Sequence, residues 1–151
     1  MATEKLRVGD IMTSPAWTLQ VTDPVRKAQN LLIDRKIRRL PVLEGERLVG
    51  MLSDRDLLAC SVPVPAPPHT EELDRAIEGT HVLKVMQPTP ISIGPYHTVS
   101  EAARIMLENR AGALPVVEQH RVIGIVTQTD VLRALLGYSS LPAARRPLKQ
   151  V

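Results

Sequence analysis

The chain has 151 residues, 44% of them hydrophobic and 23% charged, which fits a soluble globular protein of one ordinary domain or two half-size ones sharing a core. No apolar run approaches the ~18 residues of a membrane span, the opening MATEKLRVGD lacks the apolar stretch of a secretory leader, and a single cysteine, Cys60, excludes an internal disulfide or a cysteine metal cluster. A net charge of +3 with a pI near 9.4 permits an anionic partner without demanding one, while two Tyr, one Trp and no Phe leave little for stacking nucleic-acid bases.

In chain order, a short polar start ends in Ile11 and Met12, and Ser14 to Val21 reads as irregular chain leading into a short strand. Asp23-Pro24 predicts a helix start, with Asp23 accepting from free backbone N–H groups and Pro24 at the first helical position. Val25, Ala28, Leu31 and Leu32 recur at three-to-four spacing and define one buried face. Arg26, Lys27, Arg35 and Lys36 fall off that stripe, and the helix is expected to end near Arg38 or Arg39. Leu40–Leu43 and Leu48–Leu52 read as two strands of a hairpin turned by Glu44-Gly45-Glu46. Ser53 is expected to cap a short helix from Asp54 to Cys60.

The proline-rich run Ser61–His69 reads as a semi-extended linker. A short helix opens at Thr70, carries Leu73, Ala76 and Ile77 on its apolar side and ends at Gly79. Ile91-Ser92-Ile93 reads as a strand. Thr98 and Glu101 form a capping-box pattern ahead of a helix with Val99, Ala102, Ile105 and Met106 on its buried stripe. Leu114–Val117 and Val122–Val126 form a second hairpin, Thr127 precedes a last helix, and Leu132, Leu135 and Leu136 cover a face of it. The tail after Gly137 is basic, with Arg145, Arg146 and Lys149, and is expected to be partly mobile.

These two halves are one pattern written twice. LPVLEGERLVGMLSDRDLL, from Leu40, returns as LPVVEQHRVIGIVTQTDVL, from Leu114, at an offset of 114 − 40 = 74 residues with no gap. Upstream, VGDIM returns as VLKVM at the same offset. A long repeat present only twice points to two copies of one small α/β fold packed as a pair, each copy strand–helix–strand–strand–helix, rather than to an open array.

On these residues the chain resembles a tandem cystathionine-β-synthase-type (CBS) domain pair, also called a Bateman module. The expected organisation is a first domain over residues 7–60, a linker with a short helix over 61–81, a second domain over 82–137 and a tail over 138–151. The resemblance implies two pseudo-two-fold-related domains sharing one core and a non-enzymatic regulatory role. It implies an adenosine ligand in clefts between the domains: AMP, ADP or ATP first, S-adenosylmethionine or NAD as other possibilities, with or without magnesium. It also implies a homodimer acting on a separate, unknown partner protein, in the cytoplasm, with no required cofactor.

Carried over by position, the resemblance assigns ribose hydroxyls to Asp130 and Asp56, and phosphate to Thr127 and Ser53, with Arg55, Arg38 and Arg39 as further phosphate candidates. The adenine is assigned to Ala16, Trp17 and Thr18, to Thr89, Pro90 and Ile91, and to Ala111, Gly112 and Ala113. The chemistry agrees. A carboxylate accepts two charge-assisted hydrogen bonds from a ribose diol, and a threonine at a helix start lies where N–H groups favour an anion. Ala111-Gly112-Ala113 leaves room for a flat base where the first copy has Ile37-Arg38-Arg39, so the Asp130 site ranks first.

Plainer readings stand beside this one. Asp56 and Asp130 could be first-turn acids stabilising helix starts, with Ser53 and Thr127 as simple caps, and the protein a ligand-free dimeric interaction module. The basic pI and tail leave a nucleic-acid accessory protein as a third reading. The four histidines, His69, His81, His97 and His120, lack ligand spacing, so no metal site is expected. No nucleophile–base set or phosphate-binding G-x-x-x-x-G-K loop is present, so no catalysis is expected.

Overall fold

Val25, Ala28 and Leu32 line one side of a helix because side chains three and four apart share a face, and all three are buried against a short β-sheet. That arrangement recurs throughout a computed structural model of the chain, which describes residues 5–59, 77–88 and 90–137. The fold is α/β and consists of two strand–helix–strand–strand–helix units. One unit comprises Trp17–Pro90; the other comprises Met1–Ala16 together with Ile91–Val151. The linker, Cys60, most of the short helix expected from Thr70, and the basic tail lie outside the described residues.

In the unit from Trp17 to Pro90, β1 (Leu19–Gln20) leads to α2 (Val25–Asp34), then to the hairpin β2 (Arg39–Glu44) and β3 (Arg47–Ser53), and then to α3 (Asp54–Ala59). A 3-10 turn at Val82–Lys84 brings in β4 (Gln87–Pro88). The sheet order is β1-β2-β3-β4, with β1 parallel to β2 and the other pairs antiparallel. Leu19, Leu40, Val42, Leu52, Leu57, Ile77 and Val82 join the α2 stripe in the buried cluster.

The other unit has α1 (Val8–Ile11), α4 (Val99–Asn109), the hairpin β5 (Ala113–Glu118) and β6 (Arg121–Thr127), and α5 (Gln128–Leu135). Its flanking strands are reduced to single bridges: Ile93 parallel to Val116 on one side, Thr13 antiparallel to Ile125 on the other. Both hairpins carry a register shift at the same repeat position, between Val42 and Leu43 and between Val116 and Val117. The cluster here is Val8, Ile93, Val99, Ala102, Met106, Leu114, Val116, Val126, Val131 and Ala134. The Gln119-His120 loop turns β5 into β6 with both residues at positive φ, 50° and 66°, the geometry whose twist suits a two-residue hairpin.

The compact units are therefore not the contiguous sequence repeats. The VGDIM segment, upstream of the first repeat, packs with the second repeat, and VLKVM packs with the first. Val8 and Val82 are both fully buried in these positions. What admits each segment is a glycine on the facing strand. A Cβ on Gly124 would stand 2.8 Å from both Met12 Sδ and the Thr13 carbonyl oxygen. One on Gly50 would stand 2.5 Å from Met86 Sδ and 2.9 Å from the Gln87 carbonyl oxygen. The methionine could move, but the backbone carbonyl is held by the pairing of Thr13 with Ile125 and of Gln87 with Met51.

Several local expectations are corrected. Asp23 does not cap α2; Pro24 is the N-cap, and the Asp23 carboxylate accepts instead from the Gln20 N–H at 2.8 Å and from Lys27 at 3.2 Å. Helix α2 ends at Asp34 rather than near Arg38, because Lys36 turns to φ 51° and breaks the helix. Its repeat counterpart, Arg110, takes the same left-handed conformation after α4. Ile91-Ser92-Ile93 is not a strand; only Ile93 pairs, and Ile91 is exposed. The capping box at Thr98 forms as expected: the Glu101 N–H donates to the threonine hydroxyl at 3.0 Å and the Thr98 N–H donates to the glutamate at 2.7 Å.

Replacing Gly124 by alanine is expected to destabilise the protein by about 1–3 kcal/mol, the usual cost of overpacking a closed contact, measured by urea denaturation. Unchanged stability would mean the α1 segment does not rest on β6. The Glu101 carboxyl is held below its ordinary value of 4.5, first by the Thr98 backbone N–H, with the Thr98 hydroxyl and His97 adding to it. A depressed folded-state value makes this contribution to stability present above the unfolded value and lost as pH falls through the folded one. An NMR titration should place the Glu101 midpoint below 4.5 and show it rising in Thr98→Ala, which keeps the backbone N–H and removes the hydroxyl; a midpoint indifferent to that substitution would leave the hydroxyl no part in the depression.

Candidate ligand site at the helix caps

Two equivalent corners of the fold join the cap residues singled out from the sequence to the chain just ahead of each hairpin. In the unit carrying the second repeat, β6 ends at Thr127 and α5 begins at Gln128. Thr127 caps the helix in a full capping box: the Asp130 N–H donates to Thr127 Oγ1 at 3.2 Å, and the Thr127 N–H donates to Asp130 Oδ2 at 2.8 Å. Two backbone links tie this corner to Ala111-Gly112-Ala113. Ala113 pairs with Thr127 across the hairpin, and the Gln128 N–H donates to the Gly112 carbonyl at 3.0 Å. Ala16 and Ile91 belong to this unit as well.

The first repeat reproduces the corner. The Asp56 N–H donates to Ser53 Oγ at 3.2 Å, and the Ser53 N–H donates to Asp56 Oδ2 at 2.8 Å. Arg39 pairs with Ser53, and the Asp54 N–H donates to the Arg38 carbonyl at 3.0 Å. Arg38 and Arg39 thus occupy the places of Gly112 and Ala113. Arg55, on the first turn of α3, is exposed. Trp17, Thr18 and Pro90 lie in this unit; Thr89 lies outside the described residues. The Trp17 ring packs on the core and is covered by Arg35, whose guanidinium carbon stands 4.5 Å from the ring centre. Any part Trp17 takes toward a base therefore falls to its backbone.

The corners differ in exposure. Asp130 is 4% exposed, whereas Asp56 is half-buried. A buried carboxylate must keep its hydrogen bonds, and Asp130 has its cap. Asp56 has a further partner that the sequence reading missed: Gln87 of β4 donates from Nε2 to Asp56 Oδ1 at 3.1 Å. The repeat offset carried the signal, since Gln87 answers to Thr13 and both sit on the strand beside the hairpin, paired with Met51 and Ile125.

Each carboxylate is thus a structural cap and a possible acceptor at once. One oxygen closes the helix start, which accounts for the plain reading of these acids, while an ionised carboxylate has acceptor capacity beyond one such bond. Among the described residues no group of three His, Cys, Asp or Glu side chains could hold a metal ion, and no helix is long and apolar enough to cross a membrane.

Comparison with known proteins places these corners in context. A family model described as the CBS domain matches residues 8–62 and 82–137. A CBS domain-containing protein of Dictyostelium discoideum is 30% identical over 134 residues, spanning 87% of this chain and 92% of its own length. The crystal structure of CBSX2 in complex with AMP superposes with a TM-score of 0.72 at 32% identity, covering 89% of this chain and 99% of that one. The CBS domain pair of protein MJ0100, in complex with 5-methylthioadenosine and S-adenosyl-L-methionine, gives a TM-score of 0.70 at 25% identity, covering 87% and 96%. Other relatives are longer: the chain spans 63% of the chloroplastic CBSX2 of Arabidopsis thaliana and 40% of an uncharacterised protein of Methanocaldococcus jannaschii.

Replacing Thr127 by alanine is expected to cost about 1 kcal/mol through loss of the N-cap alone, read from thermal or urea unfolding without any ligand. No change in stability would mean that the α5 start is held by something other than this box.

Proposed function

The chain belongs to the CBS-domain family, and from that membership and the geometry of its two helix caps we propose that it is a sensor of an adenosine ligand. Domains of this family are regulatory and not catalytic, so the chain acts by binding. The observation that carries the reading is the Thr127–Asp130 box set beside Gly112 and Ala113, because it joins the three elements an adenosine nucleotide needs. The Asp130 carboxylate accepts from the ribose hydroxyls. The start of α5 and the Thr127 hydroxyl face the phosphate. The small Ala111-Gly112-Ala113 run leaves space and backbone groups for the base, with Ala16 and Ile91 as further candidates. A diol reaching Asp130 would do so away from bulk water, where a charge-assisted bond counts for more.

The equivalent site in the first repeat uses Asp56 and Ser53, with Arg38, Arg39 and Arg55 available to phosphates. The base there is left to backbone groups of Trp17 and Thr18 and to Thr89 and Pro90. AMP, ADP and ATP are the first ligands; S-adenosylmethionine and NAD share the adenosine and stand next. Two relatives with bound adenosine compounds support the class. A homodimer is part of the reading: Leu107 on α4, Leu132 and Leu135 on α5 and Leu136 at its C-cap leave one unit with exposed leucines, a feature of surfaces that associate. The ligand shifts the balance of conformations only by binding one more tightly than another, and a separate partner protein reads the shift. A cytoplasmic setting fits the lone cysteine.

Those same leucines favour a second reading, in which the caps are purely structural and the module works through its dimer or partner surface without nucleotide. Calorimetry and melting curves with AMP, ADP, ATP, S-adenosylmethionine and NAD, with and without magnesium, separate the two. The sensor reading expects saturable heat and a raised melting temperature, equivalent to about 2.7 kcal/mol at a hundredfold excess of ligand over Kd, and loss of both in the Thr127→Ala, Asp130→Ala variant. Flat responses from nucleotide-free protein would leave the interaction module.

A further inference from the structure

The corner of the first repeat carries cations that the second lacks, on the same backbone frame. In the first, the Asp54 N–H donates to the Arg38 carbonyl at 3.0 Å and Arg39 pairs with Ser53; in the second, the Gln128 N–H donates to the Gly112 carbonyl at 3.0 Å and Ala113 pairs with Thr127. Arg55, on the first turn of α3, stands where the second repeat has Thr129. Arg38 and Arg55 are exposed and Arg39 is half-buried. Among the described residues, none of these three guanidinium groups forms an ion pair or a hydrogen bond. Arginines elsewhere are engaged: Arg7 donates to the Tyr96 carbonyl and Arg35 covers the Trp17 ring. The nearby acids are turned onto backbone, Asp54 accepting from the Arg55 N–H at 2.9 Å and Asp56 from the Ser53 N–H at 2.8 Å. Over residues 37–39 and 53–56, three arginines against two aspartates leave a formal charge of +1, whereas over 111–113 and 127–130 Asp130 alone leaves −1.

We propose that the two corners sort adenosine ligands by phosphate number. The first-repeat corner, through Arg38, Arg39 and Arg55, takes the polyphosphate forms; the second-repeat corner takes AMP or an adenosine compound without phosphate. The proposal rests on the adenosine-sensor reading and names the ligand class of each site. Both corners offer an acid to the ribose, so they differ in what they offer the other end of the ligand. Each added phosphoryl group brings negative charge and acceptor oxygens, and the guanidinium fork is the side chain best matched to them. A corner whose only formal charge is negative favours the ligand that carries less of it. Because Arg38 and Arg55 face solvent, each contact is modest and screened by salt, and the three together are expected to shift the preference for ATP over AMP by roughly tenfold.

The test uses the full chain, freed of nucleotide, with AMP and ATP as probes in the absence of magnesium. Calorimetry compares wild type with the Arg38→Gly, Arg39→Ala, Arg55→Thr variant, which installs the residues of the other repeat. The expected result is a ratio of ATP to AMP affinity that falls about tenfold in the variant, with a weaker dependence of ATP binding on salt. Should the half-buried Arg39 prove necessary for folding, Arg38→Gly, Arg55→Thr changes exposed positions only and is expected to lower the ratio in the same direction. In wild type, ATP is expected to move the amide resonances of Ser53, Asp54 and Arg55. An unchanged ratio in these variants, or ATP shifts confined to Gly112–Asp130, overturns the sorting and leaves the sensor reading standing. Absence of binding by either nucleotide to wild type overturns the sensor reading and this inference with it.

Discussion

In each unit a backbone segment runs hard against a glycine on the neighbouring hairpin strand. Thr13 reaches Ile125, and Gln87 reaches Met51, because Gly124 and Gly50 place nothing between the strands. That approach brings Val8 and Val82 into clusters that neither repeat fills with its own contiguous residues. A repeat of fifty-odd residues has a small core, roughly at the limit of independent stability. Borrowing a buried valine and a packed methionine from the segment ahead of the other repeat enlarges it. The borrowing also ties the segments upstream of each repeat into the fold.

The second constraint is local and electrostatic. Each hairpin ends on a hydroxyl residue that caps the next helix, and each cap is answered by an acid three residues on. The reciprocal bonds satisfy two backbone donors that a helix start leaves without partners. They also fix the carboxylate in one orientation, beside the chain preceding the hairpin, through the Gly112–Gln128 and Arg38–Asp54 bonds. A structural role for these residues therefore leaves the proposed binding role open to them. A group held by its neighbours is preorganised for a ligand, and little ordering remains to be done when one arrives.

Much of this was legible in the sequence where the physics is short-range. The hairpins from Leu40 and Leu114, the α2 and α4 stripes, and the caps at Ser53, Thr98 and Thr127 all follow from spacing and residue type within a few positions. What escaped was decided by longer or competing contacts. Asp23 had two possible uses, and the Gln20 N–H and Lys27 won it from the helix start. Lys36 carries no sign in its chemistry that it will adopt a positive φ and stop α2. Gln29 sits almost wholly buried on a face that apolar spacing alone would have left to Val25, Ala28, Leu31 and Leu32, of which Leu31 is only partly buried. The exchange of the leading segments could not be read at all, since self-similarity identifies two copies but not which copy each segment joins. The repeat offset pairs Gln87 with Thr13, but its contact with Asp56 follows from the strand that carries it lying beside β3.

The most direct test of the account is a titration of isotope-labelled protein with AMP, followed by backbone amide resonances. Saturable shifts are expected at Gly112, Ala113, Thr127, Gln128 and Asp130, the residues joined by the hairpin pairing and the cap. Shifts confined to other parts of the chain, or none at millimolar AMP, would contradict it.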